Sequence, residues 1–83
     1  LNDFIQRLLD YQEGESRGFA GPIIEKAHRG FAQALADDLN ISVALAEIFE
    51  LVREVNALCD SNGINREEAD QILEFMRRVD SVL

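Results

Sequence analysis

The sequence predicts an all-α protein: a four-helix, mostly antiparallel bundle with helices at roughly 2–12, 22–36, 41–59 and 66–83. Three observations lead there. Apolar residues recur at helical spacing in four separate stretches. Short polar connections join most of these stretches, which makes consecutive helices antiparallel neighbours. The single Pro and five Gly suit such a chain, because most of the Gly fall in presumed connections.

The first helix carries Phe4, Ile5, Leu8 and Leu9 on one face. The polar run Glu13-Gly14-Glu15-Ser16-Arg17-Gly18 breaks it, and the connection continues to Gly21, which is long for a bundle. Pro22 opens the second helix, where a residue without an N–H leaves no donor unpaired. Its stripe is Ile23, Ile24, Ala27, Phe31, Ala34 and Leu35. Gly30 sits inside this helix at a cost of about 1 kcal/mol relative to Ala. Close approach of a neighbouring helix is the expected reason, with a backbone contact to a partner as the alternative.

The third helix starts after Asn40 or Ser42, either of which can cap it, and runs to about Cys59. Ala44, Leu45, Ile48, Phe49, Val52, Val55 and Leu58 form a broad stripe, and Glu47, Glu50 and Glu54 occupy the opposite face. That width suits a helix packed against two neighbours, and a length of about 27 Å makes it the central rod. Asp60-Ser61-Asn62-Gly63 closes it, with Gly63 expected in the left-handed conformation. Asn65 and Glu68 have the spacing of a capping box. The last helix turns Ala69, Ile72, Leu73, Met76, Val79 and Leu83 inward. Glu67, Glu68 and Asp70 near its start and Arg77-Arg78 near its end follow the helix dipole.

Eighty-three residues make one domain at most, residues 1–83, and the 47% apolar content is that of an ordinary globular protein. Both ends look cut, so a piece of a longer chain is expected. The formal net charge of −8, from sixteen acidic and eight basic residues, argues against strong RNA binding by this chain alone. One cysteine, Cys59, excludes an internal disulfide framework and a multi-thiolate metal site, and it reads as a small buried hydrophobe. No apolar stretch approaches the ~20 residues that span a bilayer, and no secretory pattern is visible, so a cytoplasmic location is expected.

Chemistry-bearing motifs are absent. There is no glycine-rich phosphate loop, no His-x-x-x-His and no Cys-x-x-Cys. Asp37-Asp38 could serve as paired carboxylates, but at an inter-helix corner capping is the stronger reading. His28 falls on the polar side of its helix, and Met76 and the Phe residues fit core positions. No catalytic residue and no metal ligand is assigned.

The corner does carry a family wording: Phe31, Ala34, Asp37-Asp38-Leu39-Asn40, Ala44-Leu45, Phe49 and Asn56. It resembles the DALR-type helical bundle that follows the catalytic core in cysteinyl-tRNA synthetases. The run from Met76 to Leu83 looks like that family's continuation toward a Val-Leu-Gly-Leu phrase. Where the family commonly reads Asn-Thr-Pro-Glu, this chain has Asn40-Ile41-Ser42-Val43, which changes the capping arrangement. The resemblance implies part of an ATP-dependent class I ligase that attaches cysteine to its tRNA, with zinc and ATP held by the catalytic part. It implies tRNA and the catalytic domain of the same chain as partners, with no DNA and no membrane. Arg29, Arg53, Arg77 and Arg78 would be the phosphate contacts, and Asp37, Asp38 and Asn40 the structural corner. The related cysteine–amino-sugar ligase of mycothiol synthesis and a free-standing protein-interaction module are the alternatives.

Overall fold

The computed structural model describes residues 2–11, 14–36 and 40–82. Four helices follow one another: α1 (Asn2–Asp10), α2 (Ala20–Ala36), α3 (Ile41–Asp60) and α4 (Arg66–Val82). Among the described residues there is no strand. The expected architecture is present, with shifted ends and a corrected core.

The first helix stops at Asp10, short of residue 12, because Tyr11 is drawn elsewhere: its hydroxyl donates to the Ile64 carbonyl at 2.9 Å. The second begins earlier than Pro22, at Ala20, with the Ile23 N–H closing its first turn on the Phe19 carbonyl at 3.2 Å. Pro22 still lies in the first turn, where N–H groups have no partner inside the helix, so its missing donor is harmless.

Between α2 and α3 the Asn40 backbone and side chain do three things. Its N–H donates to the Ala34 carbonyl at 2.9 Å, its carbonyl accepts from Ala44 at 3.0 Å, and its Oδ1 accepts from the Val43 N–H at 3.2 Å. One residue thus satisfies a carbonyl at the end of α2 and a donor at the start of α3, and Asn40 rather than Ser42 is the cap. Asp37 and Asp38 lie outside the described residues.

The end of α3 corrects the assignment of Gly63. The left-handed residue is Asn62, at φ 53°. Its N–H bonds the Cys59 carbonyl at 3.1 Å, and the Gly63 N–H bonds the Leu58 carbonyl at 2.7 Å. This is a Schellman motif with Asn in the position usually taken by Gly, a substitution that its short polar side chain permits. Gly63 is closely approached instead: a Cβ there would sit 3.2 Å from Leu58 Cδ2, a tight contact to which that side chain would have to yield. Beyond the turn, Glu68 N–H donates to Asn65 Oδ1 at 2.8 Å and Asn65 N–H to Glu68 Oε1 at 3.0 Å, the reciprocal pair of a capping box.

Helices α2 and α3 form an antiparallel hairpin. Lys26 meets Glu50 and Glu54, whereas Gly30, one turn further along α2, meets Glu47, earlier on α3. A Cβ on Gly30 would lie 2.5 Å from Glu47 Cδ, so the close neighbour that the glycine implied is a side chain of α3. The turn after Asp60 reverses the chain again, which brings α4 back parallel to α2. Phe31 and Phe75 join these two edge-to-face, 6.3 Å apart.

The core takes Phe4 and Leu8 from α1, Ala27, Phe31 and Ala34 from α2, Ala44, Ile48, Leu51, Val55 and Cys59 from α3, and Ala69, Ile72, Phe75, Met76 and Val79 from α4. The inward row of α3 is therefore narrower than the expected stripe and rotated toward α2. Leu51, not assigned to it from sequence, is 1% exposed, while Phe49 is 57% exposed. Leu45, Val52 and Leu58 are half-buried on its flank. Phe75 takes the core position expected of the phenylalanines, packed on Phe31, whereas Phe19 and Phe49 do not, and Leu9 is also exposed. Leu83 lies outside the described residues.

The end of α1 is held at the α3–α4 corner by two arginines. Arg7 donates to Asn56 Oδ1 at 3.2 Å and to the Asp60 carboxylate. Arg66 Nη1 donates to the Leu8 and Tyr11 carbonyls at 2.8 and 3.1 Å, and its Nη2 to Asp70 at 2.8 Å. The connection after α1 is bonded to the same corner, with Glu15 and Arg17 N–H donating to the Asn62 and Gly63 carbonyls at 3.1 and 3.2 Å.

Two stability experiments follow from this packing. Leu51→Ala should cost about 2–5 kcal/mol in urea unfolding, whereas Phe49→Ala should stay within about 0.5 kcal/mol; equal costs would refute the α3 register. Arg66→Ala strands carbonyls of α1 and should cost about 1–3 kcal/mol. Hydrogen exchange in that variant should speed up first in α1, and uniform acceleration would show that Arg66 is no tether.

Candidate functional site

Eight basic side chains are the first candidates in this acidic protein to hold an anion such as phosphate. The fold divides them into two sets. Arg7 and Arg66 are spent inside the molecule on carbonyls, an amide and carboxylates. Apart from the Arg66–Asp70 pair four residues apart, these roles do not show in local sequence, since the other partners lie 49 to 58 residues away. One signal was available for Arg66: it opens α4, where the helix dipole disfavours a cation, so a compensating acceptor was required.

The other set points outward. Lys26 on α2 lies 2.9 Å from Glu50 and 3.8 Å from Glu54, tying α2 to α3. The hydrogen bond that Lys26 donates to Glu50 lowers the Glu50 pKa and raises the Lys26 pKa. Arg53 reaches Glu50 at 3.9 Å with its side chain 77% exposed. Arg29 is exposed and has no ion-pair partner among the described residues.

On α4, two guanidinium groups share one carboxylate. Arg77 donates to Glu74 through Nε and Nη2 at 3.1 and 2.7 Å, and Arg78 Nε lies 3.4 Å from the same side chain. The Arg77 hydrogen bond holds the Glu74 pKa below the usual glutamate value and raises that of Arg77. Such pairs in water are weak and open easily. Both arginines stay mostly exposed, with side chains 76% and 68% accessible, so their remaining donors face solvent at this end of α4.

The four arginines singled out from sequence therefore stand on three helices. Arg77 and Arg78 are brought together and Arg53 shares Glu50 with Lys26, whereas Arg29 stands by itself on α2. Arg17 is a further exposed guanidinium, which donates to the Ser61 carbonyl at 3.2 Å.

Other reactive groups are quiet. Cys59 is buried, and desolvation pushes its thiol pKa up, away from the nucleophilic thiolate. Burial likewise pushes up the Tyr11 phenol. The exposed His28 ring leans on Phe75 at 5.8 Å. Among the described residues no group of three or more His, Cys, Asp or Glu is placed to hold a metal, and no helix is long and apolar enough to cross a membrane.

The family model of the DALR domain matches residues 30–83. A cysteine–tRNA ligase of Protochlamydia amoebophila is 48% identical over 83 residues, covering 100% of this chain and 17% of that protein. One of Chlamydia pneumoniae is 40% identical over 89 residues, again across 100% of the chain and 18% of the relative. One of Leptospira interrogans is 35% identical over 65 residues, 78% of the chain and 14% of the relative. The chain thus spans less than a fifth of the length of these curated relatives. No solved structure matches it significantly.

The outward ion pairs set a pH dependence. Because the folded-state pKa of Glu50 and Glu74 is lowered, their contribution is present above the ordinary value of 4.5 and is lost as pH falls through the folded value. Carboxyl NMR titration should place both midpoints below 4.5. Lys26→Met should return Glu50, and Arg77→Ala should return Glu74, toward that value. A midpoint that does not move in its variant removes that pair.

Proposed function

The chain belongs to the DALR domain family, and from that premise we propose that it is the tRNA-contacting helical bundle of a class I cysteine–tRNA ligase. The observation that carries this is identity of 48% to a cysteine–tRNA ligase across the full 83 residues. That all three relatives described above bear the tRNA-ligase name favours tRNA over an amino sugar as the acceptor. In this reading residues 1–83 form one domain of a longer cytoplasmic enzyme, which joins cysteine to its tRNA at the expense of ATP.

The bundle itself does no chemistry. Among the described residues no group of three or more His, Cys, Asp or Glu is placed to hold zinc, and no step through zinc or ATP is assigned to this chain. Its task is positional: a stiff helical body bears on the inner side of the tRNA, between acceptor and anticodon arms, and keeps the acceptor end aimed at the catalytic domain. Arg77 and Arg78, with Arg29 and Arg53, donate to backbone phosphates through planar forks. Asn40 serves as the structural corner by capping α3 and bonding the end of α2. The acidic remainder makes this grip weak by itself, so tRNA affinity rests mainly on other parts of the enzyme.

In the full-length enzyme, Arg77→Glu with Arg78→Glu should raise the KM for tRNA about tenfold with kcat little changed, the signature of lost uniform binding. Arg29→Glu with Arg53→Glu should act in the same direction. Unchanged KM in both double variants would remove these residues from the interface. Absence of cysteine transfer to tRNA by the wild-type enzyme would remove the ligase reading altogether.

A further inference from the structure

Along the outer side of the bundle, α2 and α4 leave an open groove of about 590 Å³. Ile24 and Phe75 form its floor, the first half-buried and the second 6% exposed. Its rim is acidic, with Glu25 from α2 and Glu67, Asp70 and Glu74 from α4. Asp70 and Glu74 are engaged by arginines of their own helix, but Glu25 and Glu67 have no ion-pair partner among the described residues.

The length and charge of the groove narrow its occupant. From Glu67 to Arg78 the α4 wall rises about 16 Å, roughly three turns of helix. Unpaired carboxylates repel phosphate, so RNA does not suit the end of this groove held by Glu25 and Glu67. An aliphatic ridge fits the Ile24–Phe75 floor, and lysine or arginine heads beside it meet Glu25 and Glu67. The charge is also graded. Glu25, Glu67 and Asp70 stand toward the end where α2 and α4 begin, while Glu74, Arg78 and His28 stand further along. A helix laid antiparallel to both would place its C-terminal turn, where basic residues are favoured, against Glu25 and Glu67.

We infer that the α2–α4 groove docks a basic amphipathic helix supplied by the remainder of the parent ligase, antiparallel to α2 and α4. The source follows from length as well as charge, since this chain covers only 17% of its Protochlamydia relative. The inference rests on the ligase reading, to which it adds the face that the bundle turns toward its own enzyme.

The test is cysteine protection in the full-length enzyme. Gln71 lines the groove and is exposed in the bundle alone. In a Gln71→Cys variant, alkylation of the peptide containing residue 71 is timed by mass spectrometry, in buffer without tRNA and in concentrated urea. Docking predicts protection of at least about tenfold in buffer relative to urea, corresponding to about 1.4 kcal/mol. Adding Glu25→Lys and Glu67→Lys should abolish that protection; circular dichroism checks that helix content is retained. No protection, protection that appears only with tRNA, or protection that survives both charge reversals would each overturn the inference. Cysteine transfer to tRNA is measured on the same wild-type preparation. An active ligase without protection refutes the groove alone, whereas an inactive one refutes the ligase reading first.

Discussion

Helix ends leave backbone groups that must find partners, and the corner between α3 and α4 is where this protein meets that requirement for most of its elements at once. The Schellman turn at Asn62 and the capping box of Asn65 and Glu68 close one helix and open the next within five residues. The carbonyls of Ser61, Asn62, Gly63 and Ile64 face outward from that turn and accept from Arg17, Glu15 and Tyr11. Arg66 reaches in the opposite direction, to the carbonyls that end α1. A nine-residue helix is too short to persist alone in water, so α1 depends on this corner as much as on its buried Phe4 and Leu8.

The division of the cations follows from the same constraint. A guanidinium carries five donors in a fixed fork, enough to cap a helix end and hold a carboxylate together, as Arg66 does with Asp70. Cations used in this way are unavailable to a ligand. Those on α2, α3 and the end of α4 meet only exposed carboxylates of their own or a neighbouring helix, contacts that water and salt loosen. The bundle therefore separates a structural set of arginines from a surface set, and its negative charge gathers on faces such as the α2–α4 rim that suit protein better than RNA.

The positions of the family wording gain physical content from this fold. The Ala34 carbonyl and the Ala44 N–H are bonded by Asn40, and Asn56 accepts from Arg7 and so helps to dock α1. Phe31 and Ala34 pack in the core. Phe49 differs, since it is largely exposed, and core packing does not account for a phenylalanine there.

What the sequence by itself determined is local: four helices, the cap at Asn65–Glu68, a glycine where a neighbour comes close, and a family wording at the α2–α3 corner. Each is set by neighbours within about a turn, which a linear pattern displays. Tertiary structure decided which side of each stripe is innermost. Apolar residues cover more than half of α3, so periodicity alone could not rank Leu51 above Phe49; the packing of α2 did. It also decided which residue of Asn62-Gly63 turns left-handed, placing Asn62 rather than Gly63 at φ 53°. Arg7 and Arg66 were assigned their work by carbonyls and carboxylates about fifty residues away. The physical reason is common to all three: burial, space and long-range hydrogen bonds are properties of pairs that only the folded chain brings together.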